Sequence, residues 1–164
     1  MALEFYTSPL GKIGLMANAE NQLTNLWFAG QKYAPEPAQN EPGGEKLPVL
    51  RQAERWLDAY FAGQAPQIDF ALAPAGTVFQ KQVWNLLRQI PYGQTVSYGQ
   101  LAREAAALQG KSRMSAQAVG GAVGHNPIAI LIPCHRVLGA DGSLTGYAGG
   151  LERKRKLLEL EKSR

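Results

Sequence analysis

Ile130-Leu131-Ile132-Pro133-Cys134-His135-Arg136-Val137 holds the chain's only cysteine and one of its two histidines. The apolar residues Ile130 to Ile132 lead in, so residues 128–132 are expected to form a buried strand or extended segment. Pro133 lacks a backbone donor and fixes φ, which breaks that run just before the thiol. A thiol delivered at the end of a stiff segment, with an imidazole beside it, is a candidate nucleophile. A single cysteine is, more commonly, an inert buried hydrophobe. Cys134 taken alone leaves both readings open.

The composition narrows the field. With 164 residues, 45% of them hydrophobic and 18% charged, the chain has enough length for a real core. No apolar run approaches membrane-spanning length, so no membrane association is expected. The opening Met1-Ala2-Leu3-Glu4-Phe5 has no basic region followed by an apolar core, and no secretory signal is read there. One cysteine forms no internal disulfide and no cysteine-based zinc cluster, which suits a reducing cytoplasm. The net charge of +4 is unevenly spread. Residues 1–75 carry 5 basic and 8 acidic groups, whereas residues 76–164 carry 12 basic and 5 acidic. The basic half also holds the cysteine. That pattern suits a polyanionic partner such as nucleic acid, and it equally suits a solvated basic surface.

In chain order, the first third reads as β structure. Leu3–Thr7, Ile13–Met16 and Leu23–Phe28 are short strands separated by turns at 8–11 and 19–22, a small antiparallel sheet. Residues 33–44, rich in Pro, Gly, Gln and Glu, read as a loop. Pro48–Phe61 has helical spacing, with Leu50, Ala53, Leu57, Tyr60 and Phe61 on one face and Gly63 past its end. Trp56 and Tyr60 read as core rather than as a stacking platform. Ile68–Leu72 alternates like an edge strand, and Ala73-Pro74-Ala75-Gly76 marks a boundary between residues 1–75 and 76–164.

Thr77 followed by Gln80 is a capping-box pattern opening a helix that Pro91 stops, with Phe79, Val83, Leu86, Leu87 and Ile90 on its buried face. Ser97 and Gln100 repeat the pattern before a helix over 101–108. A polar, basic turn with Lys111 and Arg113 leads to Ser115–Asn126, which starts like a helix and is nearly free of bulk. Two helices joined by a short turn, the second small-faced, fit a helix-turn-helix; a tightly packed core helix fits the same residues. Pro127 pushes Asn126 out of the helical region and turns the chain directly toward Cys134. Thr145–Gly150 is glycine-rich but has neither the spacing nor the lysine of a phosphate loop. The closing helix over 151–161 places Leu151, Leu157, Leu158 and Glu161 near one face, and its run Arg153-Lys154-Arg155-Lys156 reads as a solvated face.

Pro133-Cys134-His135-Arg136-Val137, preceded by Asn126-Pro127 and followed by Tyr147-Ala148-Gly149-Gly150, resembles the O6-alkylguanine-DNA alkyltransferases. The likeness runs from Thr77 to Glu161 and takes in Phe79, Gln82 and Val83, Val96-Ser97-Tyr98 and Ala118-Val119-Gly120; residues 1–75 match in general shape. It implies an α/β (α+β) chain, with a small ribonuclease-H-like α/β domain supporting a mostly helical domain that carries the helix-turn-helix and the active site.

It further implies direct-reversal DNA repair without cofactor or metal. A methyl or other alkyl group passes, once per molecule, from O6-alkylguanine, and by extension O4-alkylthymine, to Cys134. The base is flipped from the duplex through the minor groove. The partner is double-stranded DNA carrying the lesion, met by a monomer, with cooperative assembly on DNA left open.

Residue by residue, the resemblance makes Cys134 the acceptor and His135 the base that takes its proton through a water. Glu161 orients the imidazole, Asn126 braces the corner, and Tyr98 donates to the flipped guanine. In the base pocket, Tyr147 and Val123 are walls, and the backbone around Cys134, Val137 and Ala148 reads the guanine edge. Arg136 is structural. Ser115, Gln117, Ala118, Gly121, Lys111 and Arg113 face DNA. One departure stands out. Gln117 occupies the position where the family usually has an arginine that replaces the extruded base. A cysteine hydrolase would need a histidine remote in sequence, and His125 is the sole other candidate.

Overall fold

The computed structural model describes residues 2–35 and 47–162. Three strands, β1 (Ala2–Ser8), β2 (Gly11–Ala17) and β3 (Leu23–Phe28), form an antiparallel sheet in that order. Ser8 pairs with Gly11 across a tight turn, and Gly11 takes φ +116°, which only glycine adopts freely. The next turn is built by Asn18, whose side-chain oxygen accepts from the backbone N–H groups of Glu20 and Gln22.

Helix α1 (Pro48–Phe61) buries Val49, Leu50, Ala53, Trp56, Leu57 and Tyr60. Its N-cap residue Leu47 offers no side-chain acceptor, and Asn21 supplies one instead by accepting from Val49 N–H at 2.8 Å. The edge strand expected over 68–72 reduces to one parallel bridge between Leu72 and Leu23. Prolines at 66 and 74 flank it and remove donors that a longer ladder would use. Of the loop expected over 33–44, residues 36–44 lie outside the described residues.

Helix α2 (Val78–Arg88) opens with both halves of the capping box between Thr77 and Gln80. A two-residue strand β4 (Val96–Ser97) leads into α3 (Tyr98–Leu108). Here half of the expected box forms. Ser97 accepts from Gln100 N–H, but the Gln100 side chain bonds Glu104. Helix α4 (Ala116–Gly124) follows the basic turn, and Ser115 caps it by accepting from Ala118 N–H. Helices α2, α3 and α4 pack on one another. Trp84 of α2 donates its indole N–H to the Ala122 carbonyl of α4 at 2.8 Å, and Gln109 bonds Gln82 across α3 and α2.

The run before the cysteine is not a strand. After a single bridge from Ile128 to Leu26, residues 129–132 fold into a compact buried turn. Ile132 N–H reaches Ile128 O at 3.0 Å, and Leu131 N–H reaches Ala129 O at 2.7 Å. Ile130 takes φ +69°, an outlier for a β-branched residue. Apolar content marked burial correctly, but five buried residues suit a packed turn as well as a strand. Cys134–Arg136 then form a 3-10 turn, and strand β5 (Val137–Leu138) pairs in parallel with β4, Val96 against Val137.

The closing helix α5 (Leu151–Lys162) corrects two expectations. Leu151 is exposed, and the buried residues are Lys154, Leu157 and Glu161, an i, i+3, i+7 stripe. The basic run is therefore not one solvated face. Lys154 is wholly buried, while Arg153 donates to Leu10 O and Gly149 O and lies over the Phe28 ring. One apolar core runs from Leu15 and Phe28 through Leu57 to Val83, Val119, Ile132 and Leu157, crossing residue 75 without a break. Among the described residues, no helix is long and apolar enough to cross a membrane.

Candidate active site

The Glu161 carboxylate gathers the site. Oε2 lies 2.6 Å from His135 Nε2 and accepts from Tyr60 Oη at 2.7 Å. Oε1 accepts from Arg136 Nε at 2.8 Å and Gly93 N–H at 3.3 Å, and Arg136 Nη2 adds a bond to Oε2 at 3.1 Å. Burial pushes the Glu161 carboxyl upward, but the bonds from His135 and Arg136 outweigh it and bring the group down to about 2. Glu161 is thus an anion at neutral pH and accepts hydrogen bonds only.

That fixes the imidazole. Nε2 must carry the proton it donates to Glu161, so Nδ1 is left with its lone pair. Nδ1 is buried and has no hydrogen-bond partner among the described residues. His135 is fully buried, which lowers its pKa against the pull of Glu161. Burial thus favours the neutral ring, with the Nδ1 lone pair as its uncommitted basic position.

Asn126 positions the thiol. Its Nδ2 donates to Ile132 O at 2.7 Å and to Cys134 Sγ at 3.2 Å, and its Oδ1 accepts from Ile128 N–H at 3.0 Å. One side chain thus closes the turn and places a donor on the sulfur. Burial raises the Cys134 pKa, and Asn126 and the Lys154 charge act against it. The resting thiol is protonated, and a group able to remove its proton is adjacent in sequence.

Lys154 belongs to the same neighbourhood. Its Nζ donates to Thr145 O at 2.6 Å and lies 5.9 Å from the Tyr98 ring centroid. Burial lowers its pKa to about 8.

The sulfur opens onto a small, shallow cleft lined by Val123 and Gly124 of α4, Asn126, and the loop 146–149 that includes Tyr147 and Ala148. Two expected residues sit elsewhere. The Val137 side chain is fully buried in β5, which pairs with β4, and the residue is not among those that line the cleft. Tyr98 is not a lining residue either. It opens α3, half-buried, within electrostatic reach of Cys134. Ser115, Gln117, Ala118, Gly121, Lys111 and Arg113 are all exposed, on α4 and the turn before it. Arg136 bridges Glu161 and Ile90, its Nη1 donating to Ile90 O at 2.7 Å.

Tyr60, Gly93 and Gln31, which also lines the cleft, were not singled out as site residues by the sequence. Tyr60 offered a signal: a tyrosine on a buried helix face needs a partner for its hydroxyl. His125 is exposed, with Nδ1 on Gly121 O and its ring stacked on Tyr33, and it takes no part in the buried array.

A buried carboxylate–imidazole pair next to a thiol, with an exposed small-residue helix at the rim, defines a cysteine-nucleophile protein built on a helix-turn-helix. Residues 78–163 match the DNA-binding domain of 6-O-methylguanine DNA methyltransferase, and residues 1–74 match its ribonuclease-like domain. The chain belongs to the 6-O-methylguanine DNA methyltransferase family. It is similar to a methylated-DNA–protein-cysteine methyltransferase of Methanosarcina acetivorans, 45% identical over 163 residues and covering 99% of each chain. The crystal structure of a Mycobacterium tuberculosis O6-methylguanine methyltransferase superposes with a TM-score of 0.84 at 46% identity, covering 99% of this chain and 93% of that one. The Mycobacterium tuberculosis OGT structure in complex with DNA gives 0.84 at 44% identity, covering 99% and 94%.

The array's stability can be measured. Tyr60→Phe removes one bond to a buried charge and is expected to lower unfolding stability by about 1.5–3 kcal/mol. Glu161→Gln leaves Arg136 buried without its anion and is expected to lose about 3–5 kcal/mol. Denaturant titration at pH 7 reads both. Glu161's own contribution is complete above the ordinary carboxylate range and is lost as pH falls through about 2.

Proposed function

We propose that this chain repairs DNA by direct reversal, taking a methyl or other alkyl group from O6-alkylguanine in the duplex onto its own Cys134. The observation that carries the reading is the His135 ring, neutral, with Nε2–H committed to Glu161 and Nδ1 unpartnered and buried. In this reading the Cys134 proton passes through a water to Nδ1. Neighbours in sequence do not readily point at one another, and a bridging water relays the proton at little loss. The sulfur attacks the alkyl carbon, the carbon–O6 bond breaks, and guanine leaves with the bonding pair. The proton taken from the thiol returns to the purine. Glu161 stabilises the transient imidazolium, the orienting role of a triad carboxylate. Tyr98 assists the departing base as a donor. The product thioether has no route back, so each molecule acts once.

The lesion lies inside a duplex, so the base must be flipped to reach the cleft. The exposed, small-faced α4 suits close approach to a narrow groove, and the basic half of the chain suits the phosphate backbone. We assign residues 76–164 to DNA binding and alkyl acceptance, and residues 1–75 to support. Single-use stoichiometry needs no second subunit, which fits a monomer. Gln117 takes the place of the extruded base, with Lys111 or Arg113 restoring phosphate affinity.

Two measurements test this. Incubated with duplex DNA carrying O6-methylguanine, the protein gains one methyl on the Cys134 peptide by mass spectrometry, and Cys134→Ser gains none. Multiple turnovers or an unchanged mass contradict the reading. Gln117→Ala slows repair of duplex by about tenfold while leaving single-stranded substrate little changed; an unaltered duplex rate rules out the wedge.

A further inference from the structure

The turn after β3 reaches the cleft from the opposite half of the chain. Gln31 closes that turn. Its N–H donates to Phe28 O at 3.0 Å, its Oε1 accepts from Phe28 N–H at 2.8 Å, and its Nε2 donates to Lys32 O at 3.3 Å. Both ends of the side-chain amide are engaged within the turn, so Gln31 lines the cleft as a fixed body rather than as a mobile polar arm.

The turn is also fastened to both other walls. Lys32 N–H donates to Ala148 O at 3.1 Å, on the glycine loop. Phe28 lies 3.0 Å from where a Cβ on Gly149 would stand, so the loop meets β3 without slack. On the other side the Tyr33 ring stacks on His125, with centroids 4.1 Å apart and planes at 25°, one residue beyond Gly124. Tyr33 is held at φ +63°, a conformation a bulky residue keeps only when its surroundings impose it.

The remaining walls are small. Val123, Gly124, Ala129 and Ala148 are small residues that line the cleft with the sulfur. Asn126 is committed to the corner, and Tyr147 is an aromatic wall. Among the described residues, Gln31 is the one long side chain contributed to the cleft from outside residues 76–164, and it is pinned.

We propose that Gln31 is a specificity-determining residue. It limits the size of the alkyl group that reaches Cys134, so the N-terminal half of the chain sets which lesions are accepted. This rests on the alkyl-transfer reading above.

The test compares second-order rates of Cys134 alkylation by duplexes carrying O6-methylguanine or O6-benzylguanine. The unaltered protein takes benzyl at least about tenfold more slowly than methyl, and Gln31→Ala raises the benzyl-to-methyl ratio by about tenfold, the scale at which enzymes discriminate by pocket volume. Gln31→Glu, which keeps the length and the acceptor for Phe28 N–H, leaves the ratio within about twofold of the unaltered protein. An unaltered protein that takes benzyl as readily as methyl overturns the proposal. So does a Gln31→Ala protein whose two rates fall together or stay the same, since that marks a merely structural residue. Failure of the unaltered protein with both duplexes instead overturns the alkyl-transfer reading, and this proposal with it.

Discussion

One buried carboxylate holds together parts of the chain that are otherwise remote. Glu161 sits on the last helix and accepts from Tyr60 on α1, from Gly93 between α2 and β4, and from His135 and Arg136 beside the thiol. A buried anion is expensive unless every lone pair is satisfied, so each partner is required to be where it is. The same constraint that locks α1 against α5 also keeps the carboxylate ionised. An ionised carboxylate in turn decides which imidazole nitrogen is free. Packing and chemistry are therefore one problem here, solved by one side chain.

The thiol is placed by a second, smaller constraint. Asn126 spends its amide on Ile132 O, Ile128 N–H and Cys134 Sγ, and the turn it closes forces Ile130 into the left-handed region. Pro127 keeps α4 from continuing past Asn126. The exposed helix and the Cys134 sulfur are thus joined by a corner with little freedom.

Much of this was legible in the residues. Strands β1 to β3, helix α1 and the Thr77 cap follow from alternation, helical spacing and side-chain chemistry that act locally. The motif around Cys134, with Asn126 and Glu161, was legible through its resemblance to a family. What was not legible depends on tertiary docking. The Ile128–Ile132 run announces burial, but its shape is set by Asn126. Lys154 looks like one charge among four until Leu157 and Glu161 show that it shares their face. Tyr60 reads correctly as core, yet its hydroxyl end belongs to the site. Gln31 sits in an unremarkable turn, and only the packing of β3 against the glycine loop brings it to the cleft.

The central claim is that Glu161 dictates the His135 tautomer and so makes Nδ1 the base. Nitrogen-15 NMR of the ring nitrogens at neutral pH tests it directly, with His125 as the sole other histidine signal. The account predicts a protonated Nε2 and a bare Nδ1 on His135, and loss of that preference in Glu161→Gln. A proton on Nδ1 in the unaltered protein would contradict it.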